Sequence, residues 1–336
     1  VSLFAFAPSR GPRWPLALQA AAGIGVPIAL MTLLGQPALG YIAASGAFTV
    51  LFVGSAPVVD RARVLPLVAA GLVLSATLGV LVAPNPWLVS AGVVIVAIVS
   101  AALAFGFRLG PPGPLFFILV FGLSAHVIVV SSITPVVYIA ALAAGCVFSY
   151  LVALTPLFLP RARATAPRSL PELLPGPSFD GGTRVLILRV ALVAVLGVLL
   201  GLVIDPARTY WIVGSAVAVI GVAAARRAAF ERGLHRMLGT VVGAGLYALL
   251  ALLHPSGLWL ALLLAALQFA IELVVVRHYA LALVFITPLV LLLTGAATGE
   301  IGAMDVAWER IVDTVVGAVL GAASGVLHPR AEPRAG

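Results

Sequence analysis

Charged side chains interrupt otherwise apolar stretches of this sequence, among them Glu272 and the trio Glu309, Arg310 and Asp313. An ion at the centre of a hydrocarbon layer costs at least about 2.5 to 3.5 kcal/mol, so one that is kept there faces a cavity, a partner or a solute. Arg310 and Asp313 are three residues apart and share one face of a helix. That spacing admits three readings: a cationic seat for an anion beside a carboxylate that carries a proton, an ion pair that neutralises itself, or a wetted position near the membrane surface. Glu272 either joins the same substrate or proton pathway or, one turn from Arg277, snorkels to the surface. His126 stands without a second ligand and reads as a hydrogen-bonded core residue or a proton relay.

Other chemistries are excluded by residues that are missing. All 19 basic residues are arginine, which removes any P-loop lysine, Schiff-base lysine or lysine general base. The single Cys146 allows neither an intrachain disulfide nor a cysteine metal cluster. The sequence holds no HExxH, no GxSxG and no paired aspartate-rich motif, so no enzyme, catalytic residue, metal or cofactor is expected. Net charge is +8, but the arginines fall in short clusters between apolar runs, a topology signal and not a nucleic-acid footprint.

The elements that position these charges follow from composition. With 62% hydrophobic and 9% charged residues against about 25% charged in soluble domains, and a mean hydropathy of +1.21, the chain is read as an all-α polytopic protein whose solvent and first partner is the lipid bilayer. About 20 apolar residues span the hydrocarbon layer. Cutting at charges and turn residues predicts twelve spans near residues 16–34, 40–58, 64–83, 87–107, 114–131, 135–159, 185–204, 209–225, 237–253, 258–276, 279–296 and 307–327. The first is longer than a signal-peptide core and is read as retained. With the N-terminal residues 1–15 in the cytoplasm, only Arg208 and Arg310 fall outside, which satisfies the positive-inside bias of a plasma-membrane protein. The proline-rich residues 161–184 then form a cytoplasmic linker between six-helix units at 16–160 and 185–328, and residues 329–336 a cytoplasmic tail.

Those units repeat each other. An offset of 169 aligns Pro8 with Pro177, Pro37 with Pro206, Tyr41 with Tyr210, Arg63 with Arg232, Pro86 with Pro255, Arg108 with Arg277, and Pro160 and Arg161 with Pro329 and Arg330. Because six is even, the repeats are parallel, and a solute site belongs between them near mid-membrane. Arg310 and Asp313 align with Ala141 and Ala144, so the fold alone does not require them. Glycines four apart, Gly197 and Gly201, Gly239 and Gly243, and Gly317, Gly321 and Gly325, give smooth helix faces for close packing.

Three segments of the second unit carry a family pattern: Thr209, Tyr210 and Trp211; residues 232–243, from Arg232 through Arg236, Gly239 and Thr240 to Gly243; and residues 309–317, with Arg310, Asp313, Thr314 and Gly317. Together they resemble the fusaric acid resistance family of aromatic acid exporters, distantly similar to plant aluminium-activated malate channels, with the sequence likeness clear over about residues 185 to 330. The resemblance implies export of aromatic or other organic carboxylates. It places Arg232, Arg236, Gly239 and Thr240 at the cytoplasmic mouth of the ninth helix, and its last motif on Arg310, Asp313, Thr314 and Gly317. Tyr210 and Trp211 are then either ring contacts for the solute or anchors in the outer aromatic belt. A passive anion channel and a membrane scaffold without transport are the competing readings, and association with further copies of the chain stays open.

Overall fold

A helix start leaves backbone N–H groups without partners, and this chain meets the problem mostly with proline, which lacks one. The computed structural model describes residues 6–8, 11–221 and 226–327, without the side chains of Arg161 and Arg163. The first unit contains α1 (Trp14–Leu33), α2 (Pro37–Ala44, continued as a 3-10 helix over Ser45–Leu51), α3 (Val58–Val82), α4 (Pro86–Gly106), α5 (Leu115–Val130) and α6 (Pro135–Ala153). The second contains α7 (Gly181–Ile204), α8 (Thr209–Ile220), α9 (Arg226–Ala251), α10 (Gly257–Val274), α11 (Tyr279–Thr298) and α12 (Met304–Ala323). Proline opens α1, α2, α4 and α6, and Asn85 adds a side-chain cap to α4 by accepting from Trp87 and Leu88 N–H at 3.0 and 3.2 Å. Asp180 caps α7 through Thr183 N–H at 2.7 Å, and that hydrogen bond holds its carboxyl below the ordinary range.

Among the described residues nine helices are long and apolar enough to cross a bilayer. Their outward faces carry leucine, valine and tryptophan, among them Leu18, Leu81, Trp87, Val203 and Leu262, so the bundle is apolar outside as well as inside. Three further segments are shorter than the spans predicted for them: Pro37–Leu51, Leu115–Val130 and Thr209–Ile220. The 12 residues of α8 reach about 18 Å, well short of the roughly 30 Å hydrocarbon thickness. It ends where Gly221 takes φ 56°, and residues 222–225 of the predicted eighth span lie outside the described residues. So do the tail over 329–336, with its repeat partner Arg330, and Arg10. Conversely α9 is already helical at Arg226, ahead of the predicted 237, because its arginine-rich first turns are helical without being apolar.

The helix pairings have a pattern. Within the first unit α1 lies on α2 and α6, α3 on α5 and α6, and α4 on α5; within the second α7 lies on α8 and α12, α9 on α11 and α12, and α10 on α11. Between the units α1 packs on α10 and α4 on α7, while α5 meets α8 and α11 meets α2. Exchanging each helix for the one six places on reproduces these pairings. Two segments reinforce the contact at one end of the bundle. The stretch before α1 reaches the α10–α11 turn, where Ala7 N–H donates to Arg277 O at 2.9 Å, and the linker reaches the end of α4, where Ser178 N–H donates to Gly106 O at 2.9 Å. Further back in the linker, Arg168 holds the buried Asp60 of α3 at 2.9 Å.

Candidate functional site

The short α8 is the hub. Every one of its residues except Ala218 is buried, because α7 and α12 press on it with glycines. A Cβ on Gly317 would stand 2.3 Å from Ile212 O, one on Gly321 2.5 Å from Ala216 O, and one on Gly201 2.9 Å from Thr209 Cγ2. On α9, Gly239 and Gly243 seat α11 in the same way, at 2.4 Å from Ala280 O and 2.8 Å from Thr287 Cβ. Gly325 differs from the rest of the predicted packing set: its nearest neighbours stand at an ordinary 3.5 Å.

Clamped this way, the start of α8 presents Tyr210 and Trp211 to the interior. Both are buried, at 2% and 9% exposure, so neither serves as an aromatic-belt anchor. Tyr210 lies against Gly122 of α5, where any side chain would collide with its ring. Trp211 receives Arg310, whose guanidinium carbon lies 3.9 Å from the ring centroid. A guanidinium stacked on indole is held by the ring's electron-rich face while its N–H edge stays free for an acceptor. Arg310 Nε and Nη1 are buried with no hydrogen-bond partner, and so are both carboxylate oxygens of Asp313. The internal ion pair admitted by their spacing is therefore not formed. Thr314, next in the chain, is fully buried with an unbonded hydroxyl.

These groups line a narrow cavity of about 20 Å³, room for about one water. Leu123 and His126 of α5 form one wall, Arg208, Tyr210 and Trp211 a second, Thr294 and Thr298 of α11 a third, and Val306, Arg310 and Asp313 of α12 the fourth. Helices of both units thus meet there. At its rim Arg208 pairs with Glu309 at 2.5 Å, and Thr298 donates to the Glu300 carboxylate at 3.1 Å. Arg208, Thr294, Thr298 and Glu300 are residues of this site that sequence reasoning did not select, while His126, read as a core residue or a proton relay, lines it. The signal for Arg208 and Glu300 was their charge beside apolar spans; the two threonines gave none.

The remaining predicted residues lie elsewhere. Glu272 is bound from the other unit by Arg13, at 3.0 Å through its carboxylate and 2.9 Å through its carbonyl, and so neither snorkels to the surface nor lines the cavity. Arg232 donates to Ile220 O at 3.4 Å and covers the end of α8. Arg236 is not at an open mouth: it is 6% exposed and donates to Tyr279 Oη at 2.9 Å and Ser215 Oγ at 3.2 Å. Thr240, one turn further on, is buried on the same face of α9.

Residues 192–324, which hold α8 to α12 and most of the cavity wall, match the family described as Fusaric acid resistance protein-like. A Bacillus subtilis (strain 168) protein, "Uncharacterized membrane protein YvaC", is 35% identical over 146 residues, covering 43% of this chain and 23% of its own length. The chain thus spans about a quarter of the curated relative it matches. No solved structure gives a significant match. Together with its apolar helices, the likeness makes the chain a multi-pass membrane protein. Tyr210, Trp211, Arg310 and Asp313 fall inside the matched segment, whereas Leu123 and His126, which complete the cavity, fall outside it.

Proposed function

We propose that this chain is a transporter carrying small aromatic or other organic carboxylate anions out of the cell across the plasma membrane. One observation carries the reading: Arg310, stacked on Trp211 with unbonded N–H groups, faces a cavity at the junction of the two units beside the unbonded Asp313. A buried charge kept without a fixed partner is costly unless a mobile one visits it. The planar fork of arginine matches a carboxylate, and the indole beside it matches an aromatic ring.

The architecture proposed for this work is twelve crossing helices in two parallel repeats, with both termini and the linker in the cytoplasm. In support, the main pairings within each unit and between the units, α3 on α4 excepted, survive exchange of every helix for its partner six places on. The shortened α2 and α8 occupy equivalent places, and short or interrupted helices at matching positions mark the solute path in repeat transporters. A cytoplasm-negative potential favours outward movement of one negative charge by about 2.3 kcal/mol per 100 mV, so no ATP site is needed. Closure down to about 20 Å³ favours a gated carrier over a standing channel. Asp313 is assigned the proton or the tuning of Arg310.

The test is uptake of labelled benzoate into vesicles reconstituted with purified protein, with a panel of aromatic acids as competitors. Arg310→Ala is expected to lower the rate at least tenfold, and Asp313→Asn to remove its response to an imposed pH gradient. Unchanged uptake in both variants overturns the site. A steady benzoate current across a planar bilayer, without gating, overturns the carrier in favour of a channel.

A further inference from the structure

Cations of the second unit stand at successive levels along α8. Arg232 reaches its last turn at Ile220 O, Arg236 reaches Ser215, Arg310 covers Trp211, and Arg208 immediately precedes its first residue. Trp211 and Ser215 are four residues apart, so the contacts of Arg310 and Arg236 share one face of α8 about 6 Å apart along its axis. The two guanidinium groups are close enough to interact as charges, and like charges repel.

What Arg236 lacks is a counter-charge. Its two described side-chain partners, the hydroxyls of Ser215 and Tyr279, are neutral, its Nε is buried and unbonded, and among the described residues no carboxylate pairs with it. With Asp313 charged, this part of the interior still holds one uncompensated positive charge. A buried pair of like charges is stable only when something of opposite sign joins it. Two guanidinium groups whose contacts lie one helical turn apart on the same face of α8 are placed to share one carboxylate, each by a charge-assisted hydrogen bond.

We infer that Arg236 is a second anion-binding residue: one carboxylate sits between Arg236 and Arg310 on the face of α8, with the attached ring against Trp211 and Tyr210. The inference rests on the transport reading for the identity of the anion, but not for its seat. It moves Arg236 from a gathering role at the mouth into the binding site, and it makes Ser215 and Tyr279 the groups that orient it. The site takes a singly charged carboxylate, since one such charge balances the trio of Arg236, Arg310 and Asp313.

The test is thermal melting of the purified full chain in detergent, with sodium benzoate against the uncharged isostere benzamide. Benzoate at ten times its Kd is expected to raise the Tm by about 2 °C, whereas benzamide leaves it unmoved. Arg236→Gln should melt no lower than wild type without benzoate, because repulsion is relieved, and should lose the benzoate shift. Arg236→Lys should keep at least half of the shift. Ser215→Ala with Tyr279→Phe, which spares the charge, should keep the shift with a weaker Kd. A full shift in Arg236→Gln, no shift in wild type, or a lowered Tm without benzoate in both Arg236 variants overturns the inference. Binding that depends on Arg236 without benzoate flux in vesicles supports the seat and overturns transport. Flux without Arg236-dependent binding does the reverse.

Discussion

Arg13 and Glu272, 259 positions apart in the chain, are joined twice, Nη2 to the carboxylate at 3.0 Å and Nε to the backbone carbonyl at 2.9 Å. The pair ties the start of α1 to the end of α10, across the two units, and Gln268 adds a third contact to the carboxylate at 3.4 Å. Glu272 is the more buried partner, with 8% of its side chain exposed against 29% for Arg13. Removing Arg13 therefore leaves a buried carboxylate without its cation, a defect that costs about 3 to 5 kcal/mol in fully buried pairs and less here. Arg13→Ala is expected to lower the Tm markedly, and Arg13→Ala with Glu272→Gln to recover most of the loss. Equal losses in the single and double variants, read by thermal melting, would show the pair to be idle.

The glycines divide into those that are squeezed and one that is not. Gly321→Leu must drive a side chain into Ala216 O, which a Cβ already meets at 2.5 Å, so α12 has to leave α8, costing at least about 1 to 3 kcal/mol. Gly325→Ala meets nothing closer than 3.5 Å and should stay within about 0.5 kcal/mol of wild type. The yield of monodisperse protein on size exclusion and the melting temperature check both.

At the rim, Arg208 and Glu309 form an ion pair with 17% and 42% of their side chains exposed. Pairs this wet contribute no more than about 1 kcal/mol and weaken with salt. Glu309→Gln is thus expected to change the Tm little and benzoate uptake less than threefold. A tenfold loss of uptake would move Glu309 into the transport machinery.

The proposed orientation is checked with single cysteines in a Cys146→Ser background. A cysteine at Pro171 in the linker should resist a membrane-impermeant maleimide in intact cells, and one at Asn85, between α3 and α4, should react. The opposite pattern reverses the direction of transport proposed above.

Much of this arrangement is legible in the sequence because lipid simplifies the reading: among the described residues, apolar length located the nine helices long enough to cross a bilayer. Boundaries failed where hydropathy and backbone conformation part company. The apolar run after Ala44 gives no sign that the chain tightens into a 3-10 helix at Ser45 and is extended by Phe52, and α8 ends at the backbone of Gly221, not at a polar residue. Arg310 and Asp313 stood out as charges among apolar neighbours. That they fail to pair, and that Arg236 lies buried between Ser215 and Tyr279, depends on side-chain directions that spacing along one helix does not fix.

The cross-packing of α1 on α10 and α4 on α7 also bears on how such a chain arises. Neither set of six helices completes its own interior; each leaves open the surface that the other covers. Under the repeat proposed above, a stand-alone ancestor of six helices would have met the same need by embracing a second copy, and a gene fusion would have had only to tether two molecules already assembled. On that proposal the two sets then took separate roles, since Arg310 and Asp313 stand on one side alone, where the other has Ala141 and Ala144.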